Sequence, residues 1–241
     1  MATGQILRGW VGQRLDGRKV FSGGLLAHFD DLTGSGAFTA TRNCLAVVRA
    51  WGAGGAGGSD STLFRAAGGG GGGAGYKVVR MGAGQILRWS VGLPGTSTAT
   101  PPDGAGNAGG DTIIVLPTGI SLIASGGKGG PNGGSNTPGG VGGQPVGAWD
   151  LARSGGAGGQ DGPSSTAGSS PLGGGLGGAF SGGYGGGGAP AGFSDTQPGV
   201  LLGNGGGGGG AAPGFGGGSG GSSPSLAGGT GRVIVIALVV H

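Results

Sequence analysis

Strand-type runs of apolar residues punctuate the first half of the chain. They are "AFTATR" (37–42), "CLAVVRAWGA" (44–53), "GYKVVRMG" (75–82), "QILRWSVG" (85–92), "DTIIVLPTG" (111–119) and "SLIASGG" (121–127). Each is rich in β-branched or aromatic residues and framed by turn formers, which predicts a β-strand. Pro117-Thr118-Gly119 between two of them predicts a tight hairpin turn. From about residue 126 the pattern gives way to glycine, and the charged residues up to 231 are Lys128, Asp150, Arg153, Asp161 and Asp195. The chain then reaches "GRVIVIALVV" (231–240), its strongest strand signal.

That last run organises the rest. Eight apolar residues in succession predict a strand buried on both faces or central in a sheet. Its partners must come from the first half, so the glycine-rich stretch leaves the β-domain near 126 and returns by 231. It is an excursion pinned at both ends. A shorter excursion, 52–75, departs and returns between two strands in the same way. The expected fold is all-β: a small antiparallel β-sandwich-like domain with a long glycine-rich excursion. The expected division is an N-terminal attachment or oligomerisation segment at 1–33, a β-domain at 34–125 plus 231–241, and a glycine-rich region at 126–230. A repeat crosses that division, since "GQILRGWVG" (4–12) recurs as "GQILRWSVG" (84–92). Two similar strands in two sheets, or one strand pairing in a neighbouring subunit, would explain it.

Composition sharpens the excursion problem. Glycine (75) and proline (13) make up more than a third of the 241 residues, a level that signals low complexity when no strict period is present. Glutamate is absent and helix formers are scarce, which argues against any long helix. The net charge of +4 is small for this length, so no nucleic-acid partner is expected. The single cysteine, Cys44, lies in an apolar run and is expected to be a buried structural thiol. No secretory signal is visible, and the longest apolar run is too short to span a bilayer. Synthesis in a cytoplasm without membrane insertion is the expectation.

A glycine-rich stretch of this kind is either a flexible linker or an ordered array of bare backbone. Tethering at both ends and apolar residues recurring throughout favour order. The ordered alternative is a bundle of polyglycine II helices: left-handed, extended, three residues per turn, with every N–H and C=O pointing outward. Runs such as "GGVGG", "GGAGGQ" and "GGYGGGG" place other residues about three apart and then slip frame. Strict Gly-X-Y is missing, which excludes collagen. On this reading the hexaglycine run at 205–210 serves close packing of backbone.

Catalytic patterns do not emerge. Glycine-rich phosphate-loop matches are what composition alone generates, and Lys128 lacks the following Ser/Thr of a phosphate-binding loop. His28 and His241 have no partner at metal-ligand spacing. Asp30 and Asp31 are adjacent, so their side chains point to opposite faces of an extended chain. The chain is expected not to be an enzyme and to need no cofactor or metal. What remains is surface recognition. Trp149, Phe180, Tyr184, Phe193 and Phe215 sit among small residues in or near turns, and exposed aromatics in such a frame suit contact with sugars or protein loops.

The ordered framework resembles a known family. A strand running into Trp51-Gly-Ala-Gly-Gly55, then Gly73 to Tyr76 with the strand after it, then long glycine tracts closed by Gly231-Arg-Val-Ile234, resembles the glycine-rich domain of tailed-bacteriophage tail fibre proteins. The resemblance covers about residues 34–241. It implies a virion protein at a fibre or spike, assembled in the host cytoplasm, homotrimeric, and contacting a host surface protein or polysaccharide. Other virion tail or fibre proteins would be its second class of partner. The short stretch before the domain suits a tip, adhesin or short spike rather than a complete long fibre. The competing expectations are a purely structural virion component, such as a head decoration or minor tail protein, and a non-viral glycine-rich structural or ice-binding protein.

Overall fold

The computed structural model describes residues 24–60, 67–96, 103–131, 137–159 and 227–240. All regular structure among them is β, arranged in two five-stranded antiparallel sheets and a two-stranded ribbon. The first sheet has the order β1 (Leu25–Asp31), β12 (Arg232–Val239), β3 (Cys44–Trp51), β5 (Ala74–Met81) and β11 (Leu151–Arg153). The second has the order β10 (Pro145–Val146), β9 (Ser121–Ala124), β8 (Thr112–Val115), β6 (Ile86–Ser90) and β2 (Ser35–Thr39). The ribbon pairs β4 (Ser59–Asp60) with β7 (Asp103–Gly104).

The closing strand is central. Val235 of β12 faces Val48 of β3 on one side and Phe29 of β1 on the other. Val233, Val235 and Ala237 are fully buried, whereas Ile234, Ile236 and Leu238 on the opposite face are half-buried. One face therefore forms the main core, while on the other Ile234 packs against a small second cluster of Trp51 and Ala74. Across the main core, Leu87, Ile114 and Leu122 of the second sheet join Val48, Ala50 and Val235 in one cluster, and burying each of the leucine, isoleucine and valine side chains contributes about 1.5–3 kcal/mol. Cys44 is in this core too.

The sandwich is closed at its β1/β2 side by aromatic rings. Phe29 meets Trp89 at 5.3 Å and Phe38 at 6.0 Å between centroids, both tilted. The Trp89 indole N–H donates to Asp31 at 2.6 Å, while Asp30 turns outward to pair with Arg232. The adjacent aspartates do point to opposite faces. The predicted hairpin at 117–119 forms as well: Gly119 takes φ +83°, and the Gly119 N–H donates to the Leu116 carbonyl at 2.9 Å.

Sandwich and glycine-rich regions interleave rather than divide the chain. β1 lies inside the stretch expected to be an N-terminal segment, and β10 and β11 lie inside 126–230. Conversely, bare-backbone segments begin as early as residue 52. Among the described residues there are eight: 52–58, 67–73, 92–96, 105–110, 125–131, 138–144, 154–159 and 227–231. The hexaglycine run at 205–210 lies outside the described residues.

These segments hydrogen-bond to one another with a period of three. In 52–58, the N–H groups of Gly52, Gly55 and Gly58 donate to Gly73, Gly70 and Ala67 of one neighbour at 2.9–3.0 Å. Ala53 and Ala56 donate to Gly110 and Asn107 of a second neighbour, and Gly54 donates to Gly229 of a third. The residue pattern has the same period. Ser125, Lys128 and Pro131 are separated by glycine pairs, as are Pro138, Val141 and Gln144. The last three are all exposed. The intervening glycines face backbone: a methyl group on Gly127 would overlap the Gly70 carbonyl, and one on Gly55 would overlap that of Lys128.

Candidate functional site

Four connections between sandwich strands run out into this array and come back from it. β3 runs into 52–58 and the chain returns through 67–73 to β5. β6 runs into 92–96 and returns through 105–110 to β8. β9 leads out through 125–131 and back through 138–144 to β10. β11 leads out through 154–159 and back through 227–231 to β12. Two excursions thus extend each sheet.

Face-to-face sheets stand about 10 Å apart because side chains fill the space between them. Where the side chains are gone, the layers close to hydrogen-bond distance: Ala53, continuing the first sheet, donates to Gly110, continuing the second, at 3.1 Å. Thr112 marks the transition. Its buried hydroxyl donates to the Trp51 carbonyl at 2.6 Å and accepts from the Gly92 N–H at 2.9 Å.

The pairings fix which ends of the described segments lie together. Gly58 lies beside Ala67, Asn107 beside Thr96, Lys128 beside Val141, and Gly159 beside Gly68. The described segments of all four therefore end on the same side of the array, remote from the sandwich. Described groups near this end include the β4–β7 ribbon and the Asn107 amide, which donates to the Thr96 hydroxyl at 2.9 Å. The opposite end carries Gly24, where the described chain enters beside Val239. It also carries a cleft of about 300 Å³ lined by Cys44, Arg80, Met81 and Val240. Burial raises the Cys44 pKa, which keeps the thiol protonated.

Of the aromatic residues expected at the contact surface, Phe180, Tyr184, Phe193 and Phe215 lie outside the described residues. Trp149 is half-buried against the core cluster. Its ring fills the space over Gly75, where a methyl group would overlap it, and its N–H is directed at the Val146 carbonyl at 3.1 Å. Trp149 therefore locks the β10–β11 connection onto β5. The sequence signal for this seat was the glycine at 75, whose partner only the fold reveals. Next to it, Asp150 accepts from Lys77 at 2.6 Å and from the Val78 N–H at 2.8 Å, and these bonds lower its pKa.

Among the described residues, no group of three or more His, Cys or Asp side chains is placed to hold a metal ion. No described helix is long and apolar enough to cross a membrane. The surface of the array carries isolated apolar side chains, with Leu93 65% and Val141 62% exposed.

The architecture defines an all-β sandwich that carries a glycine-built extension. A family model described as a glycine-rich domain matches residues 32–238, and the chain belongs to that family. A search of curated proteins finds no match to this chain.

Proposed function

We propose that this chain is a non-enzymatic phage virion protein at a tail fibre or spike tip, and that it binds the host cell surface through the turns of its glycine-rich excursions. The observation that supports this reading is the polarity of the molecule. The described segments of all four excursions end on one side, and Gly24 lies beside Val239 at the other. The longest of them passes from 159 to 227 and includes Phe180, Tyr184, Phe193 and Phe215. Such aromatics supply contact area at low entropic cost. The partner is a host surface protein or polysaccharide, with the Gly24 end turned toward the other tail proteins and the assembly a homotrimer on the virion.

The array that holds these turns is, on this reading, a bundle of polyglycine II helices. The shared three-residue period of hydrogen bonding and of side-chain placement favours it. A side-chain-poor bundle suits a recognition tip because its scaffold is set by backbone, leaving turn residues free to vary. The test is adsorption. Purified protein should bind susceptible cells and compete with phage, and replacing Phe180, Tyr184, Phe193 and Phe215 by alanine should abolish both. A protein that neither binds nor competes is a structural virion component, and electron microscopy of the labelled particle would then place it on the head or tail.

A further inference from the structure

An antiparallel sheet with one face in water alternates apolar residues inside and polar residues outside. The first sheet departs from that pattern. Its inward residues, among them Ala46, Val48 and Val235, build the core. On the opposite face Leu25, Leu238, Leu45 and Arg80 lie abreast in one row, and His28, Ile236, Val47 and Val78 in the next. A third row runs from Asp30 through Ile234 and Arg49 to Tyr76. The six aliphatic side chains of the first two rows are half-buried, and none of them belongs to either cluster of buried residues.

These two rows have the composition of an interface. His28 and Arg80, their polar members, are exposed and stand on opposite flanks, on β1 and β5. The middle strands β12 and β3 contribute Leu238, Ile236, Leu45 and Val47, with no charge among them. An apolar centre inside a polar rim is the usual anatomy of a protein–protein contact. The long apolar run of β12 has the same explanation, since its second face is then covered too.

We infer that the outer face of the first sheet is where copies of this chain meet in the proposed homotrimer, an inference that rests on that part of the functional reading. The polarity of the molecule restricts the arrangement. The described ends of the excursions lie on one side and Gly24 on the other. A threefold axis along the strands keeps the excursions of all copies together, whereas an antiparallel pairing of faces would send them apart. The area fits as well. Four strands ~4.8 Å apart and three rows ~6.6 Å apart make a face of about 400 Å². Three copies would bury about 1,200 Å², the lower end of stable specific interfaces.

Sedimentation analysis of the purified full chain tests this. The parent should be a trimer at micromolar concentration. Val47→Lys and Ile236→Lys each place a charge in the apolar centre and should give monomers with an unchanged far-UV circular dichroism spectrum. Ile113→Lys makes the same change on the outer face of the second sheet and should leave the trimer intact. Val47→Thr keeps the shape of the side chain and should raise the dissociation midpoint of the trimer about tenfold.

A trimer that survives both lysine variants overturns the inference and leaves the homotrimer standing. Loss of the trimer on Ile113→Lys as well overturns it too. If the lysine variants unfold, a dissociation midpoint unmoved by Val47→Thr has the same consequence. A monomeric parent overturns the homotrimer along with its interface, and cell adsorption by that monomer would still decide the host-binding reading.

Discussion

The hydroxyl of Thr112 donates to the carbonyl of Trp51 across the two sheets at 2.6 Å. Thr112 is fully buried, and its oxygen also takes the Gly92 N–H. One side chain thus satisfies a backbone group of β3 and one of the segment that follows β6, where side-chain packing ends and backbone packing begins. Thr112→Val keeps the shape and strands both groups. The expected loss is about 2–4 kcal/mol, since each buried unsatisfied group costs about 1–3 kcal/mol. Thr112→Ser keeps the hydroxyl and should cost about 1 kcal/mol, the usual range for one lost methyl. Denaturant unfolding of the two variants would measure the difference.

The glycine array makes a second prediction. Gly127→Ala places a methyl group on the carbonyl of Gly70, and both partners are backbone in the interior of the array. Neither side can swing away, so the change should cost about 2 kcal/mol or more. Gly24→Ala meets nothing within 4 Å and should stay within about 0.5 kcal/mol of the parent. Equal thermal midpoints for the two variants would refute backbone packing as the reason for glycine at 127.

Strand positions were legible because the runs at 44–53, 75–82 and 85–92 combine β-branched residues with clear punctuation. Order within the sheets was only partly legible. β12 had to return to the first half of the chain, but its place between β1 and β3 depends on Asp30, Asp31 and Phe29, which lie in a stretch that reads as an attachment or oligomerisation segment. β10 and β11 were missed because two or three residues among glycines, such as Pro145-Val146, carry no periodic signal. An ordered array was expected in the long tract, where the described segments 125–131, 138–144 and 154–159 do pair through their backbones, and was overlooked at 92–96 and 105–110. There Leu93, Pro94 and Asn107 hide the three-residue spacing, and only the hydrogen bonds reveal it. At the candidate site, Trp149 was picked out by its setting among small residues. Its seat over Gly75 required knowing that residues 74 positions apart are neighbours.

Trp149 therefore allows stability and recognition to be separated. Trp149→Phe keeps the ring over Gly75 and removes the donor to Val146, for an expected cost of about 1 kcal/mol. Trp149→Ala empties the seat and should cost about 2–4 kcal/mol, less than a fully buried tryptophan because the ring is half-exposed. If cell binding by Trp149→Phe matches the parent while the alanine variant loses stability, the residue positions the β10–β11 connection rather than touching a receptor. Thermal unfolding and cell adsorption, measured on both variants, distinguish the roles.

Acid should act on the β1–β12 edge. Arg232 donates to both oxygens of Asp30, at 2.8 and 2.6 Å, and this pairing lowers the Asp30 pKa against an opposing but smaller effect of burial. A carboxyl whose pKa is lower in the folded chain binds fewer protons folded than unfolded in the interval between the two values. Its stabilising contribution is complete above the unfolded value of about 4, and is lost as the pH falls through the folded value. Because the Asp30 side chain is 38% exposed, solvent screening holds that contribution below about 1 kcal/mol. Asp30→Asn should therefore lower stability slightly at pH 7 and flatten its decline below about pH 4, leaving parent and variant nearly equal at the acid end. Urea unfolding of both proteins across that range tests this. A parent that gains stability relative to the variant on acidification would show that the Asp30–Arg232 pair does not hold the β1 edge.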